Sequence, residues 1–294
     1  MNGTKRLIVS ADDFGMSAGV NAGILRAHRE GILSDASLMV NGAAAAEAVE
    51  LARAAPRLSV GLHLVLAQGR STLSPPEIPD LVDADGFFRA HPIRAALGYF
   101  FTPGVRAQVR REVAAQIEKF LASGLPLSHV DGHVNIHMHP TILNILLEVA
   151  ERYGIRALRL TREPLALALQ LDGGHAPRKI AEGLTFNALT AYARPRMDAC
   201  GVRHPDRLFG LHQSGHVAES YLLRLLPTLG AGVTELYCHP ALLDAEARRW
   251  RPADYDSDAE LAALTSPRVA ELLRALAIEP ISYRDLANAS ARGA

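Results

Sequence analysis

The sequence predicts an α/β protein whose mostly parallel sheet is curled into an irregular (β/α) barrel. Two observations lead there. Strand-like and helix-like segments alternate along all 294 residues, the pattern of a parallel sheet covered by helices. Clusters of histidine and aspartate also recur where strand-like runs end, and barrel enzymes keep their chemistry at the C-terminal ends of their strands. A doubly wound open sheet is the alternative arrangement of the same alternation.

The elements follow in order. Residues 6–10 read as a strand that runs out into Asp12, Asp13 and Gly15. Ser17 caps an amphipathic helix, "AGVNAGILRAHREG", that stops at Gly31. "ASLMV" (36–40) is a second strand, 43–55 an Ala-rich helix and "LSVGLHLVL" (58–66) a third strand. Loop signals follow in "SPPEIPD" and "DADGFF". Residues 105–123 predict a helix, "LSHVDGHVNIH" (127–137) a strand and its exit, 140–153 a helix and "IRALRL" (155–160) a fifth strand. A loop or broken helix leads to a helix over 179–192. Strands at 207–212, 233–239 and 278–283 alternate with helices at 217–229 and 259–276. About eight strands suit a barrel, irregular or incomplete. Without repeats or a low-complexity linker, the expectation is one domain over 1–294, with an insertion around 67–103.

Bulk properties exclude several classes. Lys+Arg and Asp+Glu both number 31, so the formal net charge is zero. Nucleic-acid binding, which usually leaves a basic footprint, gains no support. Cys200 and Cys238 form neither a metal-type pair nor a disulfide framework. The start, Met1 to Arg6, is polar rather than signal-like. No apolar run reaches the roughly 18 residues of a membrane-spanning helix. The expected location is the cytoplasm, with room for peripheral contact at the inner membrane and for a homo-oligomer.

The polar clusters carry the chemistry. His63 sits late in the third strand, "HVDGHVNIHMHP" (129–140) closes the fourth, "LHQSGH" (211–216) the sixth and "YCHP" (237–240) the seventh. In "HVDGHVNIH", His129, Asp131, His133, Asn135 and His137 recur with a period of two, so an extended chain would carry them on one face. Imidazole and carboxylate together are what a divalent metal needs. Each residue alone has a bland reading: Asp12-Asp13 as a helix cap or turn, His63 as a hydrogen-bonded core histidine. Joint placement at strand ends makes Asp13, His63 and His133 the candidate ligands. His129 sits deeper in its strand. His137 and His139 read as ligands, substrate contacts or a helix start before Pro140.

Together "SADDFGMS", "VGLHL", "HVDGHVNIHMHP", "ELYCHP" and the terminal "ISYRDL" resemble the YdjC-like carbohydrate deacetylases, in order over nearly the whole chain. The likeness is greatest to the branch associated with hopanoid biosynthesis. The resemblance implies an irregular (β/α) barrel related to polysaccharide deacetylases, and removal of acetyl groups from N-acetylated sugars with one divalent metal ion. It implies Asp13, His63 and His133 as ligands and Asp12 as base. Where family members often carry a run of histidines, this chain has His133-Val134-Asn135. The first histidine is kept; the changed neighbours, Asn135 among them, alter substrate contacts.

On that reading the two adjacent aspartates divide the work, one anchoring the cation and one taking a proton from the attacking water. His239 is the candidate proton donor to the leaving nitrogen. Asp131 would orient a ligand histidine. A His2Asp set suits zinc; completion by oxygen ligands would suit magnesium. Residues 85–103 hold Phe87, Phe88, Phe100 and Phe101 with Tyr99. They read either as a helix packed on the barrel or as an apolar lid touching a lipid-linked substrate or membrane.

The expected substrate is therefore an N-acetylglucosamine unit of a hopanoid glycolipid, N-acetylglucosaminyl bacteriohopanetetrol. Soluble chitooligosaccharides such as diacetylchitobiose are the alternative. Phosphoester hydrolysis would usually want more bridging carboxylates or phosphate-binding basic residues. A non-catalytic sugar-binding protein would have no need of Asp12.

Overall fold

The computed structural model describes residues 3–88 and 103–289. Its centre is a parallel sheet of β1 (Lys5–Phe14), β2 (Asp35–Leu38), β3 (Ser59–Leu64), β4 (Val130–Gly132), β5 (Arg207–Phe209), β6 (Gly232–Cys238) and β7 (Glu279–Pro280). The order is β4-β3-β2-β1-β6-β5, and β7 pairs with Arg6 and Leu7 at the start of β1. β1 holds the middle because it is the most apolar strand, with Leu7, Ile8 and Val9 all buried.

The fifth expected strand is present only as a bridged, extended segment. Arg159 N donates to Val130 O of β4, Leu158 N to Arg203 O, and Leu208 N of β5 to Arg162 O. These few bonds link the two edges of the sheet and curl it towards a barrel, as the alternation predicts. The expected last strand shrinks to two residues and the sixth to three. After β5 the chain turns at Gly210 (φ 113°), where a Cβ would lie 2.3 Å from Tyr237 O.

The helices cover the sheet with their apolar faces. They are α1 (Ala18–Glu30), α2 (Ala45–Arg53), α3 (Pro103–Ala122), α4 (Pro140–Tyr153), α5 (Leu165–Leu171), α6 (Ala176–Ala199), α7 (Glu219–Leu225), α8 (Ala245–Trp250), α9 (Ser257–Leu264), α10 (Pro267–Ala275) and α11 (Tyr283–Asn288). Ser17 caps α1, accepting from Val20 N at 3.2 Å. α4 starts at Pro140 and stops at left-handed Gly154, the usual asymmetry of helix ends. The single helix expected over 259–276 is two, because Pro267 removes a backbone donor and Ser266 caps a new start. Pro227 likewise ends α7 in a short 3-10 turn.

The terminal "ISYRDL" closes the N-terminal side of the sheet. The Tyr283 hydroxyl donates to Glu235 at 2.5 Å, its ring stacks on His129 at 3.9 Å, and its backbone N–H bonds Asp35 at 3.0 Å. Gly61 of "VGLHL" makes room for this packing: a Cβ there would lie 2.4 Å from the His129 ring. His129 is therefore deep in the strand. Phe88 is buried and Phe87 half-buried, on bridges to Val82 and Arg70. Phe100 and Phe101 lie outside the described residues. No helix among those described is long and apolar enough to cross a membrane.

Candidate active site

Two neighbouring carboxylates reach one site because β1 bulges. Against β2, Ala11 pairs with Ala36 but Phe14 with Leu38, so β1 carries one extra residue, and Asp13 takes a left-handed φ of 69°. A bulge re-aims side chains at a strand's end, and a non-glycine residue in this region costs roughly 1–3 kcal/mol that the surrounding fold must offset. Asp12 and Asp13 are both buried.

β3 and β4 supply the histidine and its orienting partner. His63 sits opposite Asp131 in the parallel register, and its Nδ1 lies 2.8 Å from Asp131 Oδ1. Asp131 therefore orients His63 on the next strand, not His133 two residues on. With Nδ1 donating, Nε2 is left bare, buried and without a hydrogen-bond partner, 3.6 Å from Asp13 Oδ1. His133 Nδ1 lies 3.1 Å from the same oxygen.

His133 gets there by a turn rather than an extended face. β4 ends at Gly132, and His133–Met138 is a distorted 3-10 segment in which Val134 (φ 49°) and Asn135 (φ 56°) are left-handed. The period-two reading is thus corrected beyond position 132: left-handed residues end the alternation. A β-branched valine in that region is a true outlier, in keeping with strain held at a functional site.

The donor set fits a divalent cation. Asp13, His63 and His133 each offer one atom, all within 4.8 Å of one another. A lone-pair nitrogen facing a carboxylate with no hydrogen between them needs a positive charge to be stable. Burial alone would lower the His63 pKa, but Asp131, Asp12 and Asp13 around it raise it to about 9. Burial pushes the Asp13 carboxyl up, yet His133, Arg251 and His239 hold it well below the usual range. The His63 shift marks a site whose carboxylates favour added positive charge, which a proton or a divalent cation can supply. Single alanine variants of Asp13, His63 and His133 are expected to lose bound metal, read by elemental analysis of purified protein. Full metal content in all three would overturn the assignment.

Asp12 stands beside this triad, in the grip of Arg159. Nη1 and Nη2 donate to its two oxygens, both at 2.8 Å, and Ser37 Oγ lies 3.4 Å from Oδ1. A carboxylate has about four lone-pair sites, so acceptor capacity remains. Arg159 also meets Glu235 Oε1 at 2.9 Å and Asp131 Oδ2 at 2.9 Å, and lies 4.5 Å over the Tyr237 ring. Burial opposes its charge, but Asp12, Asp131 and Glu235 hold it protonated.

On the other wall, His239 lines the pocket and its Nδ1 has no partner. Its backbone N–H donates to Glu260, and its carbonyl accepts from Arg251 Nη1 at 2.6 Å. Burial lowers its pKa to about 4, offset only in part by Asp13 and Asp12. Arg251 Nη2 also lies 3.3 Å from Asp13 Oδ2. Asn135 lines the pocket, held by Thr161 Oγ1 at 2.9 Å. His137 does not reach it: its Nε2 lies 3.1 Å from the Arg159 carbonyl. The His139 ring accepts from Thr141 N at the start of α4. Of "LHQSGH" only Ser214 lines the pocket, while His212 turns to Glu182.

Comparison with known proteins gives the chain's family. A profile described as YdjC-like protein matches residues 6–275. The chain belongs to the YdjC-like family. Among its relatives, a protein of Geobacillus stearothermophilus named carbohydrate deacetylase is 32% identical, with 95% of this chain and 96% of that protein covered. One of the same name from Vibrio vulnificus is also 32% identical, over 96% of each. A crystal structure from Enterococcus faecalis, described as a candidate cellobiose-phosphate cleavage protein, has a TM-score of 0.74 at 28% identity. It covers 96% of this chain and 99% of its own. The YdjC-like fold thus accounts for the curled parallel sheet.

Sequence reasoning missed Ser37, Arg159, Tyr237, Arg251 and Tyr255, the last of which lines the pocket with its ring centroid 5.0 Å from that of His239. Arg159 had a signal: an arginine near the C-terminal end of the apolar run "IRALRL". Arg251 and Tyr255 lie in a polar stretch without one.

Proposed function

We propose that this chain hydrolyses the acetamide of an N-acetylglucosamine unit, with one divalent ion, zinc or magnesium, held by Asp13, His63 and His133. Acting as one domain, the chain would release acetate and leave the free amine. The observation that carries the reading is the unpartnered, buried His63 Nε2 facing Asp13, with Asp12 brought alongside by the bulge. The names of the relatives support the same chemistry.

When bound, the ion would supply Lewis acidity to the acetyl carbonyl and acidify the attacking water. Asp12, fixed in plane by Arg159, would take the water's proton. Asp131 keeps His63 in the tautomer that presents Nε2. His239, neutral at pH 7 with a pKa of about 4, would donate to the leaving nitrogen only after collecting the proton that Asp12 takes from the water. The approach to these residues is narrow, about 80 Å³, which suits an acetamide better than a whole sugar.

Two carriers of that sugar compete. The hopanoid lipid is implied by the sequence resemblance, and the aromatic lid that would meet it depends on Phe100 and Phe101. A second sugar, as in chitooligosaccharides, is favoured by the relatives named for carbohydrate. Mass spectrometry of acetate loss from a glycolipid and a diacetylchitobiose panel tests the reading. Activity is expected to fall at least tenfold in chelated protein and to return with added zinc or magnesium. Undiminished turnover in thoroughly metal-stripped protein would overturn the metal dependence. Saturable binding of these sugars with no acetate released under any metal would favour a binding protein.

A further inference from the structure

Arg251, directly after α8, touches both walls of the catalytic pocket, and its side chain is only 3% exposed. Nη2 lies 3.3 Å from Asp13 Oδ2. The other oxygen, Asp13 Oδ1, is the one that faces His63 Nε2 and His133 Nδ1. Nη1 donates to the His239 carbonyl at 2.6 Å and to Ser257 Oγ at 2.7 Å. One planar guanidinium thus joins the candidate metal ligand to the backbone of the candidate proton donor. The other side of that backbone is held as well. Glu260, one turn after Ser257 on α9, accepts from His239 N, and also from Val217 N at 2.9 Å. Arg251 Nε and Nη2 are buried without a hydrogen bond. Such burial is costly, so this arginine is a poor choice for packing alone.

We propose that Arg251 is a positioning residue for the hydrolysis: it turns Asp13 so that Oδ1 is presented to the cation, and it fixes the His239 backbone relative to that oxygen. The inference rests on the deacetylase reading and deepens it. A carboxylate free to rotate could offer either oxygen or both. A positive charge held against Oδ2 leaves Oδ1 for the site, and partners of this kind commonly orient ligating carboxylates. Clamped between Arg251 and Glu260, the His239 peptide cannot shift without disturbing Asp13. The two-way reach depends on the planar fork of arginine. A single ammonium could meet Asp13 or the His239 carbonyl, but not both in this geometry.

Metal affinity tests this without reference to turnover. Arg251→Lys and Arg251→Met, stripped of metal and titrated with zinc against a chelating dye, are each expected to bind about tenfold or more weakly than the native protein, the usual cost of losing such a partner. If Arg251 acted by charge alone, the methionine variant would bind zinc more tightly, because a repelling cation is gone, and the lysine variant would match the native protein. Either result would overturn the proposal. At saturating zinc, kcat should fall by about tenfold or more in both variants while KM stays within about twofold. A merely structural arginine would lower the melting temperature and leave zinc affinity and kcat per folded molecule unchanged, which would also overturn it. The lysine variant keeps the buried charge, so it decides the matter even where the methionine variant fails to fold. Failure of the native enzyme to release acetate from any substrate would remove the deacetylase reading; the zinc titration would still decide whether Arg251 positions Asp13.

Discussion

Asp12→Asn is expected to retain metal and lose 10²–10⁴-fold in turnover, the usual worth of general-base assistance (roughly). The amide fills the same space and leaves Asp13, His63 and His133 untouched, but at neutral pH it cannot accept the water's proton. The competing account is that Asp12 exists only as counter-ion to Arg159, whose two nitrogens it binds at 2.8 Å. The variant separates the two. An amide nitrogen would face one Arg159 N–H donor to donor, leaving one guanidinium hydrogen bond unmade, so a stability cost of about 1–3 kcal/mol is expected in either case. Turnover per metal-loaded, folded molecule is the deciding measurement, with folding followed by thermal melting. Near-native turnover would remove Asp12 as base and leave it a structural carboxylate.

Much of this site was legible because its chemistry is concentrated at strand ends. The alternation of apolar runs located β1, β3 and β6, and adjacent carboxylates after β1 announced a departure from regular strand geometry, which the bulge at Asp13 supplies. What stayed hidden depended on partners distant in sequence. Asp131 meets His63 across 68 residues, a contact set by strand register. The period-two pattern could not reveal that Val134 and Asn135 turn left-handed; the partners that meet Asn135 there, Thr161 and Tyr237, come from distant segments. Arg251 reaches Asp13 from a stretch after α8 that carries no periodic signal. The fifth strand was misjudged for a related reason. Its apolar pattern is right, but it meets its neighbours through only a few hydrogen bonds, since β4 and β5 are each three residues long.

Arg159→Met is expected to destabilise the protein by about 3–5 kcal/mol, the usual result of removing one partner of a buried ion pair. Three carboxylates converge on this guanidinium: Asp12, Asp131 and Glu235, the last two at 2.9 Å from Nη2. All are buried, and methionine matches the stem but brings no charge. Burial already raises the Glu235 carboxyl, with Arg159 and Tyr283 pulling it back, so losing the arginine should leave this group protonated. The sign of the pH dependence follows. Taking up protons relieves the uncompensated charge, so the gap between variant and native protein should narrow as pH falls from 8 towards 5. Arg159→Lys separates charge from geometry. One ammonium keeps a positive charge in the cluster but cannot grip both oxygens of Asp12. Its melting temperature should therefore fall less than that of the methionine variant, while turnover drops in both because Asp12 loses its fixed plane. Denaturant midpoints at two pH values, together with turnover per bound metal, measure these effects. A methionine variant within 1 kcal/mol of native stability, with normal turnover, would show that the carboxylates hold their positions without Arg159.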